Sequence, residues 1–223
     1  MIIHLTNVLA WIQALVLLIT IAGSPVQQTQ TDWDKSQAKD QAIKQYYTLI
    51  ESHGQNQEYE KCIEDLEGAI LLIEKQGVEQ LSAGDLSHLG YFYSTSGNIC
   101  YTLGRYDESI YACNRALNYL HIYNTPANFP EEWKASFYYI LSCFKLLPDE
   151  SMTDSIKDLL IEQLERVYCN EDYRQFRELL RLNGGSFSEE KTEYIQQCCY
   201  MYDWMIDYYE QILAGDEADH ADE

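Results

Sequence analysis

Residues Tyr91 to Tyr119, YFYSTSGNICYTLGRYDESIYACNRALNY, read as two helices joined by a tight turn. Apolar and aromatic positions recur three and four residues apart on both sides of the turn, the spacing of helices that bury one face. Leu103-Gly104-Arg105-Tyr106-Asp107-Glu108-Ser109 is the turn and the start of the second helix. Small residues, Gly97 in the first helix and Ser109 and Ala116 in the second, fall where two helices must approach closely. Tyr93, Cys100, Tyr106 and Cys113 fill the remaining contacts.

This order of small and bulky residues resembles a tetratricopeptide repeat, a helical hairpin of roughly 34 residues. A looser version lies upstream. One helix is expected over Asp34 to Ser52, with Ala38, Ala42, Ile43, Tyr46, Leu49 and Ile50 on one face, and a break follows at His53 to Gln57. A second, over Glu58 to Lys75, would bury Tyr59, Cys62, Ile63, Leu66, Ala69, Ile70 and Ile73, with Gly77 as a candidate cap. Ala69 and Ala116 stand in equivalent places but farther apart than one repeat period, which makes Gln76 to Ser87 an insertion between hairpins.

Downstream of Pro126 and Pro130, Glu131 to Leu147 is a helix with Trp133, Phe137, Ile140, Leu141 and Phe144 on one face, stopped by Pro148. Ser151 or Thr153 can cap the next helix, which carries Ile156, Leu159, Leu160, Leu164 and Val167 up to Cys169. A short helix from Tyr173 to Leu182 ends at Asn183-Gly184-Gly185. The last helix, capped by Ser186 or Ser188, carries Tyr194, Cys198, Met201, Met205, Tyr208 and Ile212. Four prolines and helix spacing almost throughout define an all-α chain. The fold expected is a short superhelical array of tetratricopeptide-like hairpins over residues 34–213, preceded by a flexible segment, 24–33, and followed by an acidic disordered tail, 214–223.

The chain opens on an apolar run, about Val8 to Ala22, that ends in the small residues Thr20, Ala22 and Gly23. That is the plan of a secretory signal peptide, residues 1–23, although Lys and Arg are missing ahead of the run. A spanning helix needs about 20 apolar residues, and Pro25 with the polar Gln27 to Gln30 ends this one short of that. Cleavage is expected after Ala22 or Gly23; left uncleaved, the same run is an anchor. The roughly 200 residues that remain suffice for a packed core, and nothing later is apolar enough to cross a bilayer. The net charge of -21 disfavours nucleic acid and anionic lipid as partners and favours basic or neutral ones.

Seven cysteines in an exported chain point to disulfides, and the odd count leaves at least one unpaired or paired outside the chain. The candidates are Cys62, Cys100, Cys113, Cys143, Cys169, Cys198 and Cys199. Their scatter has no CxxC and no Cys/His cluster of zinc-site spacing. The alternative is that several, Cys62 and Cys113 first, are small buried core residues.

Chemistry-bearing motifs are missing. No Gly-rich phosphate loop, nucleophile elbow or His-Glu-x-x-His helix occurs. His53, His88 and His121 lie at or near helix ends and read as structural. The Asp and Glu residues, 36 together, read as solvated helix faces. Neither a cofactor, a metal nor catalysis is expected. The outlier is tyrosine, 19 in all, with close pairs that cannot all share one helix face. Tyr46, Tyr47, Tyr91, Tyr93, Tyr138 and Tyr139 are the candidates for a peptide-binding surface, since tyrosine offers wide contact area with a polar tip; the alternative is that tyrosine replaces Leu and Phe in an ordinary hairpin core.

The signal-peptide pattern, cysteine-bearing hairpins, the phrase Tyr59-Glu60-Lys61-Cys62-Ile63-Glu64-Asp65-Leu66-Glu67-Gly68-Ala69-Ile70 and the Leu103-to-Ala116 repeat resemble the helical domain of the leprecan family, which includes cartilage-associated protein and the prolyl 3-hydroxylases. The resemblance implies a lumenal protein of the endoplasmic reticulum acting beside prolyl hydroxylases on procollagen chains, in the helper role without catalysis. On this reading the chain is a non-enzymatic protein- or peptide-binding scaffold of the secretory pathway. The alternative is a secreted effector or antigen-like protein that binds host or matrix ligands.

Overall fold

The computed structural model describes residues 30–75, 77–146, 153–182 and 188–220. The expected signal peptide, the caps at Ser151 and Ser186, the stop at Pro148 and the Asn183-Gly184-Gly185 break lie outside the described residues. Eight α-helices carry the fold, and no strand occurs among the described residues: α1 Gln30–Gln55, α2 Tyr59–Glu74, α3 Ala83–Thr102, α4 Tyr106–Ile122, α5 Phe129–Leu146, α6 Thr153–Tyr168, α7 Glu171–Leu182 and α8 Glu189–His220. The chain is all-α, as its periodicity requires. It divides into two compact units, residues 1–44 and 45–223. Of the first, residues 30–44 are described, as the opening part of α1; the packing and the cleft below are those of the second.

The turn that decides the fold closes as its residues dictate. Gly104 takes φ +77, and the Arg105 and Gly104 amides donate to the Cys100 and Tyr101 carbonyls at 2.8 and 3.0 Å. This paired closure needs a left-handed residue just past the helix, which only glycine supplies without strain. The three residues between α3 and α4 force the helices side by side. At their closest point Gly97 leaves no room: a Cβ there would lie 2.4 Å from Cys113 Sγ. Ser109 donates to the Gly97 carbonyl at 2.8 Å and accepts from Ser142 of α5 at 2.8 Å. That relay ties three helices together with its polar groups satisfied, as burial demands. Ala69 and Ala116 are both fully buried.

Several boundaries differ from the sequence reading: α1 runs through His53 and Gly54 to Gln55, and α5 and α7 begin two residues early, at Phe129 and Glu171. Helix α3 begins at Ala83, because Ser82 and Asp85 form a reciprocal capping box; Ala83 to Ser87 is therefore helix and not insertion. Helix α1 begins at Gln30, inside the segment expected to be flexible. Helix α8 continues past Ile212 to His220, since Ala214, Glu217 and Ala218 favour helix and one glycine, Gly215, costs only about 1 kcal/mol.

Helices α3, α5 and α8 form one layer, α5 packing against both neighbours; α4 backs α3 and α5, and α6 backs α5 and α8. Central α5 is consequently buried on most sides, with Trp133, Ala135, Ile140 and Cys143 wholly enclosed. Each large apolar side chain so enclosed contributes about 1.5–3 kcal/mol. The register of α5 is fixed by Gln163 of α6 donating to Ser136 at 2.8 Å, by the Trp133 ring 4.8 Å from that of Tyr202 of α8, and by the Tyr173 hydroxyl of α7 donating to Glu132.

Candidate functional site

The open side of the α3–α5–α8 layer holds a cleft of about 480 Å³. Each helix gives it one stripe at helical spacing: Tyr91, Thr95 and Asn98 from α3, Glu131, Lys134 and Tyr138 from α5, Tyr194, Gln197 and Met201 from α8. These positions are three or four residues apart, one face per helix. A smaller opening beside it, of about 420 Å³, shares Gln197 and Met201 and exposes Tyr200 along α8.

Lys134 lies at the centre and is 7 % exposed. Its ammonium is 2.7 Å from Glu131 Oε2, 3.4 Å from Thr95 Oγ1, and 5.1 and 5.7 Å from the ring centres of Tyr91 and Tyr194. Glu131 also accepts from the Ser94 hydroxyl at 2.5 Å and from the Tyr194 phenol. Burial alone would lower the pKa of Lys134, but the charge and hydrogen bond of Glu131 outweigh it and hold the ammonium above its ordinary value. Burial raises the pKa of the Tyr91, Tyr138 and Tyr194 phenols and pushes the Cys198 thiol at the cleft wall up to about 12. At neutral pH the cleft therefore presents an ammonium, neutral phenols and a thiol, none in its nucleophilic form. Ring faces, the Asn98 and Gln197 amides and a screened ion pair can grip a ligand.

The six candidate tyrosines part company. Tyr91 and Tyr138 line the cleft. Tyr47 packs behind Tyr91, ring centres 4.9 Å apart, and its hydroxyl shares a 2.9 Å hydrogen bond with His88. Tyr46 lies against Gly68, and Tyr139 is buried. Tyr93 faces away because two residues turn a helix by about 200°; its ring stacks on Tyr119 at 5.8 Å. Its hydroxyl, with that of Tyr119, donates to Glu74 at 3.0 and 2.6 Å, while Arg115 pairs with Glu74 at 2.8 Å. That network locks α2, α3 and α4 and does not reach the cleft. Glu131, Lys134, Asn98 and Gln197 do not stand out as site residues in the sequence, where Tyr194 is one of the spaced apolar and aromatic residues of the last helix; the available signal is polar residues at helical spacing beside the aromatic ones on α3, α5 and α8.

The cysteine candidates fall mostly inside the core. All seven are free thiols in the structure, and only Cys169 is exposed. Cys62 donates to the Ile50 carbonyl at 3.3 Å, Cys113 fills the gap over Gly97, and burial pushes Cys113 and Cys143 up to about 12. Six of them are small core residues, the alternative reading, because each falls on a buried helix face. Among the described residues no group of His, Cys, Asp and Glu could hold a metal ion, and no helix is long and apolar enough to cross a membrane. His53 joins α1 to α2 through Asp65 at 2.6 Å, and the exposed His121 closes α4.

Compared with protein-family models, with curated proteins and with solved structures, the chain matches none.

Proposed function

We propose that the chain is a non-enzymatic binding scaffold of the secretory pathway whose α3–α5–α8 cleft takes an extended polypeptide. The observation that carries this is the convergence of Tyr91, Tyr138 and Tyr194 around a fully paired Lys134–Glu131 floor with amide side chains beside it. Aromatic grooves grip extended, proline-bearing chains because the stiff backbone loses little entropy on docking and offers carbonyls to phenol and amide donors. The layer of α3, α5 and α8, with α4 and α6 behind it, supports the tetratricopeptide reading. The pattern of residues 1–23 supports the compartment, and the leprecan resemblance suggests procollagen, with prolyl hydroxylase as a second partner.

Affinity capture from the cell's own secretory pathway, with mass spectrometry, tests this. Recovery of procollagen or a prolyl hydroxylase by the native chain, lost with Tyr91→Ala/Tyr138→Ala, is expected. Equal recovery by both, or ligands only from the extracellular medium, would refute it.

A further inference from the structure

The two charged side chains of the cleft decide what kind of segment it accepts. Glu131 and Lys134 lie one turn apart on α5, with side chains 15 % and 9 % exposed, and no other lining residue is charged. Both are saturated from within. The Glu131 carboxylate takes Lys134 and Ser94 on one oxygen and Tyr194 on the other. The Lys134 ammonium faces Glu131, Thr95 and the two rings. Aromatic faces with a carboxylate between them are a ready site for a cation, and here the chain's own lysine fills it. A protein of net charge -21 draws basic chains from a distance. At the cleft, however, an incoming Lys or Arg finds no free carboxylate and meets a like charge.

We infer that Lys134 is the specificity-determining residue of the cleft, an internal cation that reserves it for uncharged stretches of extended polypeptide. This rests on the peptide-binding reading above. Selectivity arises as much from the repelled competitor as from the preferred ligand. Removing Lys134 would uncover Glu131 between two rings and turn the cleft toward cations; neutralising Glu131 would leave the ammonium uncompensated and turn it toward anions.

Calorimetric titration of the full chain with short peptides of repeating Pro-Pro-Gly, Pro-Lys-Gly and Pro-Glu-Gly tests this at fixed ionic strength. The native chain is expected to prefer Pro-Pro-Gly over Pro-Lys-Gly by about tenfold or more, roughly 1.4 kcal/mol. Lys134→Met should reverse that order, Glu131→Gln should shift preference toward Pro-Glu-Gly, and the double variant should restore the neutral preference. Should Lys134→Met fail to fold, Glu131→Gln and the double variant decide. Native binding without discrimination, or variants that keep the native order, would overturn the role of Lys134 and leave peptide binding intact. No binding of any peptide by the native chain would overturn the peptide-binding reading itself.

Discussion

Two faces of helix α3 serve opposite ends. On one, Gly97 lies so close to α4 that even a methyl group would strike Cys113, and Ser109 and Ser142 are sealed in a hydrogen-bonded relay. On the other, Tyr91, Thr95 and Asn98 border an open cleft of about 480 Å³. The first face is made by neighbours in sequence, the second by three helices spread over a hundred residues. Tight packing therefore shows as a local pattern of small residues, whereas a binding surface emerges only once distant stripes are brought together.

The largest expected effect is on the closed face. Gly97→Leu must displace Cys113 and crowd the Ser109 carbonyl, so a loss of about 3 kcal/mol is expected, or roughly 6–12 °C in thermal midpoint for a chain of this size. Calorimetry checks it, and unchanged melting would mean that α3 and α4 do not pack as described. Pairing Gly97→Ala with Cys113→Ala sharpens the point. The nearest obstacle is a side-chain sulfur, so the double variant should melt above Gly97→Ala alone.

Next come two carboxylates, the half-buried Glu74 and the buried Glu132, with opposite signs. Burial works against the Glu74 carboxylate, but hydrogen bonds from Tyr119, Arg115 and Tyr93 and the charge of Arg115 outweigh it and hold its pKa low. Its contribution is complete above the ordinary value near 4.5 and is lost as pH falls through the lower folded value. Glu74→Gln should cost about 1.5–3 kcal/mol at neutral pH, a deficit that shrinks on acidification. Glu132 is the reverse: burial raises it above its ordinary value, and one of its oxygens has no partner. Its contribution is full below the ordinary value and fades as pH rises through the folded one. Glu132→Gln should therefore gain about 1 kcal/mol at neutral pH and nothing near pH 4. Denaturant titrations across pH distinguish the two, and parallel curves would contradict both assignments. Smallest of all, Glu108→Gln removes an exposed pair with Arg105 and should shift stability by about 0.5 kcal/mol or less.

The sequence carried the all-α class and the close approach of α3 to α4 at Gly97, because helix period and residue size act within one hairpin. It carried two of the cleft's three tyrosines, Tyr91 and Tyr138. It could not separate Tyr91 from Tyr93, since a list of aromatic residues does not say which face each takes until a neighbour is in place. Lys134 and Glu131 looked like any exposed charged pair; only the packing of α3 and α8 over α5 buries them. Six of the seven cysteines fall on helix faces filled by packing and Cys169 is exposed, a division that compartment chemistry, which argues for bridges, does not show.

The cleft itself is tested most directly by photo-crosslinking. A Pro-Pro-Gly peptide carrying a photoreactive group, irradiated with the full chain and mapped by mass spectrometry, should form adducts on Tyr91, Asn98, Tyr138 and Gln197 that excess unlabelled peptide removes. Adducts centred instead on exposed apolar residues elsewhere, such as Leu71, Tyr111 or Ile122, or adducts that no competitor displaces, would contradict the assignment of this face as the binding site.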